Sequence, residues 1–347
     1  MDLNPKQQRM SVFIIFCLLI FLLGTSEAIA RYVTDTHVLS YYKPIELVKQ
    51  HEQAEELRLA NVFSGPESDL EYDPVVFWRP KKNWGIFNEL GIRGESVTSN
   101  LESASSSCTI LTYGDSNTLG AFQGGYFDNP WPDELARLLQ QHISSFRVLN
   151  MGVSGYSSYQ GLKKFRQDID IFHPSLIFVA FGWNDASPDM GIPDNKFTTV
   201  LSTLLSPLNT SRLFQVIKYY SDVVVQKFIQ KPFPNGPRVS FDDFKYNLIE
   251  FITLAQKNNS SIIFLTRPHA DFTNTDRNNW RLRVLENNNI IRAVAFEYKI
   301  LLIDMEKIFL EQYPNELSDD CHFTQKGHTA AATVIYAFLK QNNLFCK

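Results

Sequence analysis

A serine attacks an acyl carbon only when a base takes its proton, and the base needs an acceptor that holds its ring in place. Three residues of this chain have the types and spacing for that work. Ser116 lies in LTYGDSNTL (111–119), where a short apolar run breaks at Gly-Asp-Ser. His322 follows Asp319 by three residues in LSDDCHFTQKGH. That spacing lets the carboxylate reach Nδ1 while Nε2 faces the serine. The negative charge that develops on the attacked carbonyl needs fixed donors around it. The amides of Ser116 and of Gly155 in NMGVSGYSS, with the side-chain amide of Asn184 in GWND, could supply three. A glycine at 155 lets backbone approach a substrate closely. The chemistry these residues point to is acyl transfer through an acyl-Ser116 intermediate, with no cofactor and no metal.

Each residue also has a plainer reading. Ser116 is a good helix N-cap, and Asn184 suits an Asx turn. Asp185 reads as a brace for its loop, and His322 alone could be an exposed loop histidine. His269 in RPHAD is a rival base, but no carboxylate precedes it by three residues; it reads as a pocket or surface residue. His328 shares too little with His322 to suggest a metal pair. Ser154 in GVSGY is not a hydrolase elbow, which needs GxSxG, because residue 156 is Tyr.

The elements that must carry these residues form a regular pattern from Cys108 onward. Apolar, β-rich runs occur at 109–113, 146–151, 176–181, 262–266 and 300–304. Helical patterns lie between and after them at 131–142, 159–171, 241–256, 288–298 and 324–341. Continuous apolar strands alternating with helices predict a parallel sheet covered on both faces, a doubly wound α/β domain. Such sheets place their sites at the C-terminal ends of the strands. Ser116, Gly155, Asn184 with Asp185, and His269 all follow strand ends, and Asp319 with His322 lies beyond the fifth. The third crossover is about 80 residues long, so 186–240 is an insertion, with an amphipathic stretch at 211–229.

With those residues in place, the chain resembles the SGNH (GDSL-type) serine hydrolases. Four blocks carry the resemblance in order: YGDSNT, NMGVSGYSS, GWND and DDCH. It covers about 106–347 and implies the flavodoxin-like, five-stranded SGNH hydrolase fold. It also implies Ser116 as nucleophile, Gly155 and Asn184 as oxyanion donors, and His322 as base oriented by Asp319. The first block departs in carrying Asn117-Thr118 where many members have Leu or an aromatic. NELGIRG (88–94) and the Glu27/Arg31 pair resemble an exported, membrane-anchored bacterial subgroup.

Upstream, Val12–Leu23 is an unbroken apolar run after Lys6 and Arg9. Twelve helical residues span about 18 Å, short of the roughly 30 Å hydrocarbon core. That length and the Ala28–Ala30 stretch fit a cleaved signal peptide; continuation of the helix to Ala30 fits an anchor, which the subgroup resemblance favours. Both keep the basic N-terminus inside and export the rest, making the protein a single-pass membrane protein or a secreted one. Residues 31–105 read as an extension, helical at 44–63, extended and turn-rich at 72–96, and linker-like at 99–107.

The 347 residues are 44% hydrophobic and 20% charged with a formal charge of −4, a folded globular profile without the basic face a nucleic-acid binder needs. Export makes the cysteines matter. Helix direction puts Cys346 at the sheet edge of Cys108 and far from Cys321, so a disulfide, if one forms, pairs Cys108 with Cys346; the alternative is three reduced thiols. The expected partner is an acyl ester, with acetyl on an envelope or extracellular glycan as the leading expectation. The alternatives are a lipid esterase, lysophospholipase or thioesterase, and a catalytically silent scaffold in polysaccharide assembly.

Overall fold

The computed structural model describes residues 5–36, 69–73, 75–97, 108–122, 125–141, 145–187, 193–197, 211–214, 216–217, 236–270 and 278–345. The expected helix at 44–63, the linker at 99–107, most of the 186–240 insertion and Cys346 lie outside them.

A hairpin of β1 (Leu70–Asp73) and β2 (Phe77–Pro80) precedes the main sheet. The main sheet is built from β3 (Cys108–Gly114), β6 (Phe146–Asn150), β7 (Leu176–Ala180), β8 (Ser261–Leu265) and β9 (Leu301–Ile303). A short hairpin, β4 (Ala121–Phe122) and β5 (Gly125–Tyr126), follows the first of these. The five strands are all parallel, in the order β6-β3-β7-β8-β9. The first main strand therefore pairs with the second and third, the flavodoxin-like order of the SGNH hydrolase fold.

The strand sequences are apolar throughout because both faces are covered. Leu111, Tyr113, Ile177, Val179 and Phe264 point into one core with the helices Ser158–Phe172, Phe241–Lys257 and Asn278–Glu297. Ile110, Phe178, Ile263 and Leu265 point into the other with Trp131–Leu139, Met305–Gln312 and Gln325–Gln341. This two-residue alternation fixes the register, since a slip by one would exchange the two cores.

Residues 69–73 and 75–97 belong to the same packing. Trp78 sits in the first core, donates from Nε1 to Ser154 O at 3.0 Å and accepts from Tyr156 Oη at 2.7 Å through its carbonyl. Arg93 donates to the carbonyls of Leu119 at 3.0 Å and Phe127. The upstream hairpin thus braces the loop that carries Gly155, and Arg93 braces the turn that carries Ser116.

The N-terminal helix runs Pro5–Thr36, and its stretch Phe13–Tyr32 is 20 residues that are long and apolar enough to cross a membrane. At about 1.5 Å per residue it spans roughly 30 Å. Glu27 pairs with Arg31 at 2.7 Å. The same carboxylate accepts from Ser211 Oγ at 2.8 Å and from the amides of Arg212 and Leu213, both at 2.9 Å.

Candidate active site

The strand β3 stops at Gly114 because the chain turns at once into the short helix Ser116–Leu119. The cap of that helix is Asp115, not Ser116: the Asp115 side chain accepts from Asn117 N at 3.0 Å. Ser116 is thereby left with its hydroxyl free for other work. Its Oγ lies 2.8 Å from His322 Nε2. The turn is tightly enclosed, since a Cβ on Gly152 would come within 2.4 Å of Leu119 N. Only glycine lets the β6 loop lie against the Ser116 helix.

His322 Nδ1 lies 2.8 Å from Asp319 Oδ2, while Asp319 Oδ1 accepts from the amides of His322 at 2.8 Å and Cys321 at 2.9 Å. Burial alone would push the Asp319 carboxyl up. The His322 hydrogen bond and charge, with the two amides, outweigh it and hold the group at about 2. The carboxylate is therefore ionised at neutral pH, and by accepting from Nδ1–H it favours the tautomer that leaves Nε2 an acceptor facing Ser116 Oγ. Phe122 closes one side of the pair, its ring centroid 5.5 Å from that of His322.

Asn184 follows Gly182, whose φ of +130° lets β7 turn into the helix Trp183–Ala186. Its Nδ2 reaches Tyr156 O at 3.1 Å and Asp115 Oδ2 at 3.4 Å. Asn184 is thus lodged between the Ser116 turn and the Gly155 loop. Gly155 has φ +76°, in the left-handed region that glycine tolerates. Its carbonyl accepts from Arg238 Nη1 at 2.7 Å, and Arg238 forms a buried pair with Asp194 at 2.9 Å. The sequence expectation of a brace at Asp185 matches its contacts. It accepts from Ser158 N and Oγ and from Gly182 N. Burial raises its carboxyl to about 6 against the Ser158 bonds and the Arg238 charge.

One expectation about a side chain changes, and two further residues are placed. His269 is neither a pocket nor a surface residue; it is buried, with Nε2 2.8 Å from Glu306 in a cluster with Arg292 and Asp304. The carboxylate missing three residues before it comes from a distant segment. His328 is buried against Phe127 and Phe323, and burial with the nearby Arg93 and His322 charges lowers it to about 3, so it is neutral. Cys321 is a buried free thiol that burial and the Asp319 charge keep protonated.

Two residues near the site were given no role by the sequence. Arg267, 3% exposed, pairs with Asp115 at 3.1 Å, and Asn288 grips its backbone through Arg267 N and O. A buried cation beneath the turn offsets the Asp115 charge and holds the acceptor that Asn184 touches. Asn117, the departure in the first block, donates from Nδ2 to Cys321 O and accepts from Phe323 N at 2.9 Å.

A family model described as the GDSL-like lipase/acylhydrolase family matches residues 112–330, more than half of the chain. An arylesterase of Vibrio mimicus is 29% identical over 102 residues, which cover 29% of this chain and 49% of that protein. The chain therefore spans about half the length of the curated relative it matches. Among solved structures, a lipase/acylhydrolase from Enterococcus faecalis aligns at 20% identity and a TM-score of 0.47, covering 68% of this chain and 96% of that one. An acetyl xylan esterase from Geobacillus stearothermophilus aligns at 18% identity and 0.44, covering 70% and 97%.

Proposed function

The chain belongs to the GDSL-like lipase/acylhydrolase family, and we propose that it is an ester-hydrolysing enzyme that works through an acyl-Ser116 intermediate. The observation that carries this reading is the unbroken relay Asp319–His322–Ser116, with both links at 2.8 Å. Ser116 Oγ attacks the acyl carbon as its proton passes to His322 Nε2. The imidazolium, paired with Asp319, then returns that proton to the leaving alkoxide. Water or a second hydroxyl repeats the sequence to free the acyl group, which gives hydrolysis or transfer. Charge on the former carbonyl oxygen falls to the amides of Ser116 and Gly155 and to Asn184. The 3.4 Å contact of Asn184 with Asp115 is the longer of its two, and so the one to exchange for the oxyanion.

The substrate in this reading is an acetyl ester on an envelope or extracellular glycan. It rests on export of the domain behind the apolar helix. The anchor is read as uncleaved, because cleavage after Ala30 would remove the Glu27 acceptor from Ser211, Arg212 and Leu213. A second reading, an esterase for apolar acyl or aryl groups, is favoured by Phe122, which lays an aromatic wall against His322. Incubation with a fluorophosphonate and with p-nitrophenyl esters from acetyl to palmitoyl tests both. Labelling at Ser116 with an acetyl optimum is expected. A long-chain optimum would favour the second reading, and no labelling would leave a silent scaffold.

A further inference from the structure

Asn117 is 1% exposed and makes two bonds to the loop that carries the base, on either side of His322. Its Nδ2 donates to the carbonyl of Cys321, and its Oδ1 accepts from the amide of Phe323 at 2.9 Å. A primary amide used in this way imitates the donor–acceptor pair that one strand residue presents to its neighbour. The backbone of His322 itself is taken up by other partners: its amide by Asp319, its carbonyl by Ser318 N at 2.7 Å. Every peptide group around the histidine is therefore fixed, and the two flanking ones are fixed by the residue next to Ser116. The loop has little else of regular structure to hold it, with an isolated bridge between Leu317 and Phe323 before the helix Gln325–Gln341 begins.

We propose that Asn117 is a positioning residue that locks His322 to Ser116, so that nucleophile and base move as one body. This rests on the acyl-Ser116 reading above. The relay distance of 2.8 Å between Oγ and Nε2 depends on where the histidine Cα is held. Without Asn117 that position would rest on bonds within the loop, from Asp319 and Ser318, and on the Ala270 N–Asp320 O bond two residues away, none of which ties it to the Ser116 turn. Leu or an aromatic at this position fills the space and pairs with neither Cys321 O nor Phe323 N. Asp keeps the acceptor and loses the donor, turning an oxygen toward the Cys321 carbonyl.

The test compares Asn117→Leu and Asn117→Asp with Leu339→Ala, a core truncation at the far end of the last helix, in the full-length protein. Asn117→Leu is expected to lower kcat by about 10²-fold with KM within about threefold, the cost of a small misplacement of reacting groups. Asn117→Asp should fall between it and the wild type. Leu339→Ala should lower the melting temperature and keep kcat. The downfield proton resonance of His322 Nδ1–H should broaden or vanish in Asn117→Leu and persist in Leu339→Ala. If Asn117→Leu does not fold, Asn117→Asp carries the same comparison. Retention of kcat and of the resonance in either Asn117 variant overturns the proposal. A wild type that takes no label at Ser116 sinks the acyl-serine reading instead, and the resonance still decides the role of Asn117.

Discussion

Glu27 Oε2 of the N-terminal helix lies 2.8 Å from Ser211 Oγ, across 184 residues of chain. The helix that would cross a membrane is thus also a partner of the insertion. If the anchor stays, the amides of Arg212 and Leu213 keep their acceptor. Glu27→Ala in detergent-solubilised full-length protein should speed hydrogen exchange at both amides, and sequencing of the mature protein should begin near Met1. A start at Arg31 would leave a secreted enzyme, and unchanged exchange in the variant would show that the insertion does not need Glu27.

Ser116→Ala and His322→Ala should each remove nearly all turnover, and the double variant should be little worse. Members of one relay act as a unit, so their losses do not add. Near-additive losses measured under saturating substrate would mean that the two residues serve separate steps.

Asn184→Ala should lower kcat by about 10²–10³, the cost of one lost oxyanion donor, with little change in KM. The prediction separates catalysis from binding. A raised KM at constant kcat would place Asn184 in ground-state recognition of the ester.

The Asp319 carboxyl stands at about 2 against an ordinary 3.8, so the folded chain holds its charge more readily than the unfolded one. Its contribution to stability is present above about pH 3.8 and is lost as pH falls toward 2. Asp319→Asn should therefore flatten the melting temperature between pH 4 and 2 relative to the wild type. The same variant should cost about 10²–10⁴ in kcat at neutral pH by loosening the imidazole tautomer. Parallel melting curves for the two proteins across that range would show that Asp319 gains nothing from folding.

The five strands were legible because each is a short apolar run between polar turns, and the strand ends then located the site residues. The helix Asn278–Glu297 was legible only in its second half. Asn287 and Asn288 face inward to bind Gly182 O and Arg267, so polar residues stand where a helical stripe would be apolar. Met305–Gln312 is a single eight-residue piece whose start is set by the Asp304 cap, too short for its period to register. Arg267 and Asn117 act through partners more than a hundred residues away, Asp115 and the His322 loop, and no local spacing announces such pairs. Asn117 did leave a trace, since with Thr118 it is at odds with the block it sits in.

The last expectation concerns Cys108, the first residue of β3. Cys108 is disulfide-bonded, Cys17 and Cys321 are free thiols, and Cys346 is the remaining cysteine of the chain. The helix Gln325–Gln341 leaves the active-site edge just after His322 and runs back along the core that contains Cys108; Leu344 and Phe345 pack against that same core. A bond from Cys108 to the C-terminus would close a loop around nearly the whole hydrolase domain. On the chain-entropy account that is worth about 5 kcal/mol, with about 2–4 usual in practice. Non-reducing peptide mapping of the protein should return a Cys108–Cys346 crosslink and a free Cys321. Cys108→Ser should lower the melting temperature and leave kcat unchanged, because the bond lies at the sheet edge opposite Ser116. A crosslink through Cys321, or free thiols at Cys108, Cys321 and Cys346, would remove the staple and leave the terminal helix held by packing alone.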